Sequence, residues 1–194
     1  MKRPITFIGL ALLTITLAFT NVDKKTIVID VSHGGHDNGI TIDGFSEKEI
    51  ALNIANKIKA SNKNSNVEII LTRDTDQFLS LGDRVKQINE LKPDFVISLH
   101  ANLSDDLNKN GTEIFISDKN NQKEKSGDLA LKLLYSFNDG NVTIKKADFF
   151  LLKNVECPIA LVDLGYLTNK DDLQILTSEK GQTQLAQSIL SVIE

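Results

Sequence analysis

The sequence of 194 residues contains no tryptophan, and aromatic residues make up only 6% of it. Binding sites that stack on nucleic-acid bases or sugars use aromatic side chains, so we do not expect a stacking platform. The single cysteine, Cys157, excludes an intrachain disulfide. Cys157 precedes Pro158 and is predicted to be a small buried residue.

The balance of charge argues against two classes of partner. The chain has 22 basic and 26 acidic residues, and residues 1–20 contain two of the bases and none of the acids. The remainder therefore carries 20 basic and 26 acidic residues, a net charge of about −6. A negatively charged protein is unsuited to nucleic acid or to an anionic membrane surface, and we expect neither as a partner.

The first 20 residues differ in composition from the rest. Lys2 and Arg3 precede an apolar run, Ile5 to Phe19, that contains no acid. This pattern is typical of a secretory signal, and the run is shorter than the roughly 20 residues of a membrane-spanning helix. Residues 1–20 are predicted to be a signal peptide cut near Asn21, or an uncleaved amino-terminal membrane anchor. A buried helix is a third interpretation.

Strands and helices alternate through residues 24–194, which contain no repeat, low-complexity segment or linker and are predicted to form one domain. This alternation predicts a three-layer α/β fold: a twisted, mostly parallel sheet of about six strands with helices on both faces. Strands are predicted at Thr26–Asp30, Val67–Thr72, Phe95–Leu99, Gly111–Ser117 and Ile159–Leu164, with a short extended piece at Phe149–Leu152. Helices are predicted from Ser46, over Ser80–Leu91, near Lys123–Phe137 and over Thr183–Ile193.

The helix predicted from Ser46 begins with a capping pattern that separates the roles of Glu47 and Glu49. Ser46 and Glu49 have the spacing of a capping box, which assigns Glu49 to the helix start and leaves Glu47 free to point towards the sheet edge. Helical spacing predicts buried positions for Ile50, Ile54, Ala55 and Ile58 here, and for Leu81, Val85, Ile88 and Leu91 in the next helix.

Two of the predicted strands are followed closely by histidines, His33 and His100. Because the carboxyl ends of parallel strands meet at one edge of a sheet, these imidazoles are expected there, beside Glu47. Catalytic zinc favours three such ligands and an open position for water. The spacing alone is weak evidence, because no H-E-x-x-H signature is present. Alternatively, His33 caps a turn and His100 bonds to backbone; His36 is predicted to be an exposed loop residue.

Asp163 interrupts the apolar strand Ile159–Leu164. A carboxylate in such a strand is costly to bury unless it is paired or bound. It is a candidate general base beside the metal, taking a proton from water and passing it to a leaving group. A turn cap before Gly165 is the structural alternative. Glu113 is a rival base, although its alternating strand could turn it to solvent.

These residues resemble a known family, the zinc-dependent N-acetylmuramoyl-L-alanine amidases, whose catalytic domains occur in bacterial cell-wall hydrolases. The resemblance runs from Thr26 to the carboxyl terminus. Its landmarks are Ile29-Asp30-x-x-His33-Gly34-Gly35-x-Asp37, Glu47-Lys48, Leu71-Thr72-Arg73-Asp74-Thr75-Asp76 with Leu81 and Arg84, Ser98-Leu99-His100-Ala101-Asn102, Gly111-Thr112-Glu113, and Leu164-Gly165-Tyr166-Leu167-Thr168-Asn169.

The resemblance implies an enzyme that hydrolyses the amide bond between N-acetylmuramic acid and the L-alanine of the stem peptide. It implies a Zn²⁺ cofactor held by His33, Glu47 and His100, and peptidoglycan as the substrate. Together with the amino-terminal segment, the resemblance implies a location in the periplasm or cell envelope. The protein is expected to be a monomer and to contact a membrane only through residues 1–20, if these are not cleaved. Relatives with an inhibitory helix carry a long insertion, and the loop Asp118–Ser126 is too short for one.

Two sites, three residues in all, depart from the family pattern. Asp163 stands where the family has a catalytic glutamate, and Val31-Ser32 stand where it has Pro-Gly. Aspartate is one methylene shorter, and a misplacement of about 1 Å can cost on the order of a hundredfold in rate. The second hypothesis is therefore a catalytically impaired relative that binds zinc and peptidoglycan as a sensor or regulator. A third is another zinc amide hydrolase, such as a peptidase or deacetylase.

Overall fold

Eight strands and six helices are seen in the computed structural model, which describes residues 24–137 and 141–193. The predicted signal segment, residues 1–20, lies outside the described residues. The strands are β1 (Lys25–Val31), β2 (Thr41–Ile42), β3 (Phe45–Ser46), β4 (Val67–Leu71), β5 (Phe95–Asn102), β6 (Thr112–Ile116), β7 (Val142–Lys146) and β8 (Ile159–Tyr166). The helices are α1 (Glu47–Ser61), α2 (Leu81–Leu91), α3 (Lys123–Ser136), α4 (Phe150–Asn154), α5 (Lys170–Thr177) and α6 (Glu179–Ile193). Within the described ranges, no helix is both long and apolar enough to cross a membrane.

The central sheet has six strands in the order β4-β1-β5-β8-β6-β7. All neighbours are parallel except β6 and β8, which are antiparallel. Helices α1, α3 and α6 share one apolar core with the sheet, and α2 and α4 share a second. The predicted mostly parallel α/β sheet is confirmed.

The strand β1 lies at the centre of the fold because its sequence is apolar on both faces. Ile27, Val28 and Ile29 are fully buried, as expected for a parallel strand covered by helices on both sides. The stripe predicted for α1 is also confirmed, since Ile50, Ile54, Ala55 and Ile58 are all buried. These two elements present their adjoining ends, residues 31 and 47, at the same edge of the sheet.

The capping box predicted at the start of α1 is wrong in detail. Ser46 is the N-cap residue, but its side chain accepts no hydrogen bond from the helix backbone. Its hydroxyl instead donates to the Oε2 atom of Glu49 at 2.8 Å. Glu49 is still engaged at the helix start, and Glu47 is still free to point into the sheet edge.

The buried face predicted for α2 is wrong at two positions. Leu81 is 55% exposed and Leu91 is 36% exposed, whereas Ile88 is fully buried. Arg84 takes an inward position instead, because its guanidinium reaches the buried carboxylate of Asp30. The ion pair between Arg84 and Asp30 therefore sets the rotation of α2 about its axis, and the apolar periodicity of the sequence does not reveal this ion pair.

The carboxyl-terminal half has more elements than predicted. Residues 150–154 form the helix α4, not an extended piece, and α6 begins at Glu179 instead of Thr183. The strand β7 and the helix α5 were not predicted. The strand β7 has only two apolar residues, Val142 and Ile144, and neither is fully buried, so it carries a weak apolar pattern for strand prediction.

Candidate active site

His33, Glu47 and His100 converge at the carboxyl edge of the sheet. One potential ligand atom from each residue lies within 4.8 Å of the other two. His33 Nε2 is 3.0 Å from Glu47 Oε2, and His100 Nδ1 is 2.9 Å from Glu47 Oε1. The imidazole rings are 5.5 Å apart and nearly perpendicular, at 79°. Two nitrogens and a carboxylate facing one another form the donor set that zinc prefers.

Glu47 is buried in an environment that keeps it ionised. Burial raises the pKa of its carboxyl group, but hydrogen bonds and charge from His100 and His33 outweigh burial and hold the pKa well below its usual range. The backbone N–H groups of Ala101 and Ile40 also donate to this carboxylate, each at 3.1 Å. The residue is therefore poised as an anionic ligand, as a divalent cation requires.

Asp37 orients the ring of His33. The Nδ1 atom of His33 lies 2.9 Å from Asp37 Oδ2, which leaves Nε2 directed at Glu47. Histidine ligands of metals commonly use their second nitrogen in this way, to a carboxylate that fixes the ring. His36 is exposed, as predicted, and its ring packs 4.1 Å from the ring of Phe78.

The backbone of His33 is held in a left-handed conformation, with φ of 56°, by two buried arginines. Its carbonyl accepts from Arg84 Nη2 at 2.5 Å and from Arg73 Nε at 2.8 Å. Arg84 is anchored by an ion pair of 2.9 Å to Asp30. The sequence shows both arginines only as family landmarks and does not reveal this positioning role. The one available signal is the position of Arg73 just after the apolar strand β4, because Arg84 lies within α2.

The departure at Ser32 is visible in the packing. Ser32 is 2% exposed, and its hydroxyl has no hydrogen-bond partner among the described residues. A buried hydroxyl without a partner is unfavourable, by about 1–3 kcal/mol. Ser32 borders the same cleft as the histidines, so the unpartnered group adjoins the candidate metal centre.

Asp163 lies beside His100, since the two residues are register partners on β8 and β5. Its Oδ2 atom accepts a hydrogen bond of 2.8 Å from Asn102 Nδ2, a side-chain contact that differs from the turn cap considered above. Burial raises the pKa of Asp163 to about 6. A carboxylate with a pKa near 6 can both accept and return a proton close to neutral pH.

Glu113 does not face solvent, contrary to the alternative that its alternating strand suggested. It is 7% exposed, and its carboxylate accepts from the Tyr166 hydroxyl and the Lys145 ammonium, each at 2.5 Å. Burial raises the pKa of Glu113, but the bonds from Lys145 and Tyr166 outweigh burial and lower it overall. Glu113 is thus held as a carboxylate, on the side of Asp163 opposite to His100.

The candidate centre opens into a cleft of about 650 Å³. His33, His100 and Asp163 border it, and its walls come from residues at the start of α2 and of α4. Residues 118–126 do not line the cleft. This agrees with the expectation that the loop is too short to cover the site.

Comparison with known proteins decides the family. Residues 27–194 match the family model described as N-acetylmuramoyl-L-alanine amidase. The chain belongs to this amidase family. The predicted family is therefore confirmed, and the match begins inside β1 and includes all the later elements through α6.

Two relatives from Bacillus subtilis illustrate the reach of the similarity. The amidase chain is 29% identical to the uncharacterized protein YqiI over 176 residues, which cover 89% of this chain and 85% of YqiI. It is 30% identical to the N-acetylmuramoyl-L-alanine amidase LytC over 168 residues, which cover 85% of this chain and 34% of LytC. The chain thus spans about a third of the length of LytC.

Solved amidase structures share the fold closely. The catalytic domain of CwlV, an amidase from Bacillus (Paenibacillus) polymyxa, superposes with a TM-score of 0.80 at 32% identity, covering 87% of this chain and 96% of CwlV. An amidase from Clostridium difficile 630 gives a TM-score of 0.80 at 26% identity, covering 88% of this chain and 95% of the other. The expected fold class is confirmed by both.

Proposed function

We propose that this protein is a zinc-dependent amidase that cleaves the bond between N-acetylmuramic acid and the L-alanine of the peptidoglycan stem peptide. The observation that carries the proposal is the convergence of His33, Glu47 and His100 within 4.8 Å, beside Asp163 and at the edge of an open cleft. Membership of the amidase family supports this reaction, and the His/Glu/His donor set supports zinc as the metal.

In this mechanism His33, Glu47 and His100 hold the cofactor. When bound, zinc supplies a Lewis acid that polarises the amide carbonyl and lowers the pKa of water at the site. Asp163 takes the proton from the attacking water and delivers it to the amine of L-alanine as that group leaves. Asn102, which donates to Asp163 Oδ2 at 2.8 Å, keeps the carboxylate directed at the site during both transfers.

The test is digestion of purified peptidoglycan by the full chain, with zinc and with a chelator. We expect release of free stem peptides, which the chelator stops. Asp163→Asn is expected to lower the rate by a factor of about 10² to 10⁴ while leaving the zinc content unchanged. Hydrolysis that survives both the chelator and Asp163→Asn contradicts the proposal.

A second candidate function is a catalytically impaired relative that binds zinc and peptidoglycan as a sensor or regulator. The observation that favours it is Asp163 itself, which is one methylene shorter than the glutamate of the family pattern. Binding of peptidoglycan without peptide release, together with a gain of hydrolysis in Asp163→Glu, supports this candidate. Another zinc amide hydrolase would be recognised by different products.

The setting of the reaction follows from the amino-terminal pattern and the relatives. We propose that the protein is exported and acts as a monomer in the cell envelope or periplasm, after cleavage or anchoring of residues 1–20. Support comes from relatives such as LytH of Staphylococcus epidermidis, which is described as a "probable cell wall amidase". Fractionation of cells tests the export and the location of the protein. Mass determination of the mature chain by light scattering tests whether it is a monomer.

A further inference from the structure

Two concavities of opposite character adjoin the paired carboxylates Asp163 and Glu113. Asp163 borders the cleft of about 650 Å³, and Glu113 borders a second pocket of about 300 Å³. The two carboxylates are register partners on the neighbouring strands β8 and β6. A substrate that reacts at Asp163 can therefore extend into both concavities.

The larger concavity is rich in exposed apolar side chains. Phe78 and Leu81 near the start of α2 are 45% and 55% exposed, and Phe149 and Phe150 at the start of α4 are 44% and 47% exposed. All four line the cleft. A concentration of exposed apolar groups in one place marks a binding surface. The overall scarcity of aromatic residues concealed this cluster, because composition does not show where the residues gather.

The smaller pocket carries an excess of positive charge. The Nζ atoms of Lys109 and Lys145 lie 3.6 Å and 2.5 Å from Glu113 Oε1. Within residues 24–137 and 141–193, Glu113 is the only carboxylate at ion-pair distance from either lysine. The side chains that line this pocket include two ammonium groups and one carboxylate, so the lining itself carries one net positive charge. Both lysine side chains are more than 40% exposed and can reach a ligand.

The substrate of the proposed function has a matching asymmetry. Its carboxylates all belong to the stem peptide, on the amine side of the scissile bond. The muramoyl sugar has no free carboxylate there, and its ring face, N-acetyl methyl and lactyl methyl are apolar groups that aromatic rings can contact. Resting on that proposed function, we infer that the stem peptide lies over Lys109 and Lys145, and that the muramoyl sugar lies between Phe78 and Phe149–Phe150.

A pair of soluble substrates that differ by one charge tests the peptide side. The full chain with zinc is assayed on N-acetylmuramoyl-L-alanyl-D-isoglutamate and on the D-isoglutamine analogue, and the ratio of the two kcat/KM values is measured. Lys109→Gln and Lys145→Gln are each expected to reduce the preference for the acid about threefold, the size of an exposed ion pair. Glu113→Gln is expected to increase this preference, and the control Lys132→Gln, on α3, to leave it unchanged.

The sugar side is tested by comparing the muramoyl substrate with lactoyl-L-alanyl-D-isoglutamate, which lacks the sugar ring. Phe149→Ala and Phe150→Ala are expected to reduce the preference for the sugar-bearing substrate several-fold, with the ratio of acid to amide unchanged. The control is Tyr135→Ala, an exposed aromatic residue on α3 outside the cleft. The opposite pattern, with the phenylalanines governing charge preference and the lysines governing sugar preference, overturns the inference.

Binding measurements separate this inference from the proposed function. Calorimetry of both muramoyl dipeptides with Asp163→Asn gives the ratio of affinities without hydrolysis. If the wild-type protein cuts neither dipeptide but Lys109→Gln still shifts the ratio of affinities, the activity is refuted and the orientation is supported. Hydrolysis with a ratio that neither lysine variant alters overturns the orientation alone. Absence of both binding and hydrolysis overturns both.

Discussion

Asp163 and Glu113 occupy paired positions of β8 and β6, and the side-chain amide of Asn102 contacts both carboxylates. Asn102 Nδ2 donates to Asp163 Oδ2 at 2.8 Å and lies 3.4 Å from Glu113 Oε2. Their pKa values move in opposite directions: burial raises that of Asp163 to about 6, whereas bonds from Lys145 and Tyr166 overcome burial and lower that of Glu113. Two carboxylates in one site are thereby given different protonation behaviour, a common arrangement in acid–base catalysis.

The raised pKa of Asp163 predicts that this residue destabilises the metal-free fold. Because its pKa lies above the ordinary value of 3.8, the folded state binds the proton more tightly, and the free energy of unfolding falls as pH rises from about 4 to about 6. Asp163→Asn is therefore expected to stabilise the protein by about 1–3 kcal/mol above pH 7, and to have little effect below pH 4.

Urea denaturation with a chelator present, at pH 3.5 and pH 8, measures this difference. Asp105→Asn, at an exposed loop position, is the matched control and is expected to change the stability little at either pH. An equal effect of Asp163→Asn at both pH values would show that the carboxyl group does not carry the penalty.

The contact between His33 and Asp37 predicts a loss of metal affinity when the carboxylate is removed. Without the 2.9 Å bond to Nδ1, the His33 ring is free to rotate, and partners of this kind are worth about 10- to 100-fold in metal affinity. Asp37→Ala is thus expected to weaken zinc binding by that factor in a competition titration against a chromophoric chelator. Asp74→Ala, at an exposed position nearby in the fold, is the control; equal affinities of the two variants would refute the role of Asp37.

Two buried serines near the site should respond differently to the same change. Ser98 donates to Asp30 Oδ2 at 2.6 Å, whereas Ser32 has no partner among the described residues. Ser98→Ala removes a hydrogen bond to a buried charge and is expected to lower the free energy of unfolding by about 1.5–3 kcal/mol. Ser32→Ala is expected to be neutral or stabilising by up to about 1 kcal/mol. Similar losses in both variants, measured by urea denaturation, would contradict this reading of Ser32.

Gly39 and Gly44 offer a matched pair for testing how closely the candidate ligands are packed. Both have positive φ, 63° and 85°. A Cβ atom at Gly39 would lie 2.6 Å from Glu47 Oε2 and 2.7 Å from His33 Cδ2, whereas one at Gly44 meets nothing within 4 Å. Each alanine variant therefore carries backbone strain of about 1–2 kcal/mol, and only Gly39→Ala also displaces the ligands.

We expect zinc affinity to fall at least tenfold more in Gly39→Ala than in Gly44→Ala, by the same competition titration. Thermal denaturation of the metal-free proteins supplies the control: both variants should lose stability through backbone strain, and Gly39→Ala should lose more because its Cβ clashes with Glu47 and His33. Equal zinc affinities would indicate that Glu47 and His33 do not act together on the metal.

The parts of the site that the sequence predicts are those that depend on short patterns. His33 and His100 each end an apolar run, and the rule for parallel sheets brings such ends together. Glu47 follows from the helix start at Ser46, even though the capping box itself does not form. The order of the strands then places Asp163 beside His100.

The parts that could not be predicted depend on partners far away in the chain. Glu113 is buried because Lys145 and Tyr166 reach it from β7 and β8, and no local pattern contains that information. The inward position of Arg84 likewise depends on Asp30, 54 residues earlier. The short strand β7 alternates Val142 and Ile144 with polar residues and has no buried residue, so its pairing with β6 is what identifies it.

The hydrogen bonds from Arg84 and Arg73 to the His33 carbonyl affect the order of folding. Arg84 lies 51 residues after His33, and Glu47 lies 53 residues before His100. Closing such loops costs entropy that is recovered only when α2 and β5 dock on β1. A chain in which α1 and β5 have not docked on β1 therefore cannot offer the complete set of ligands, and capture of a metal ion reports that this part of the sheet has assembled.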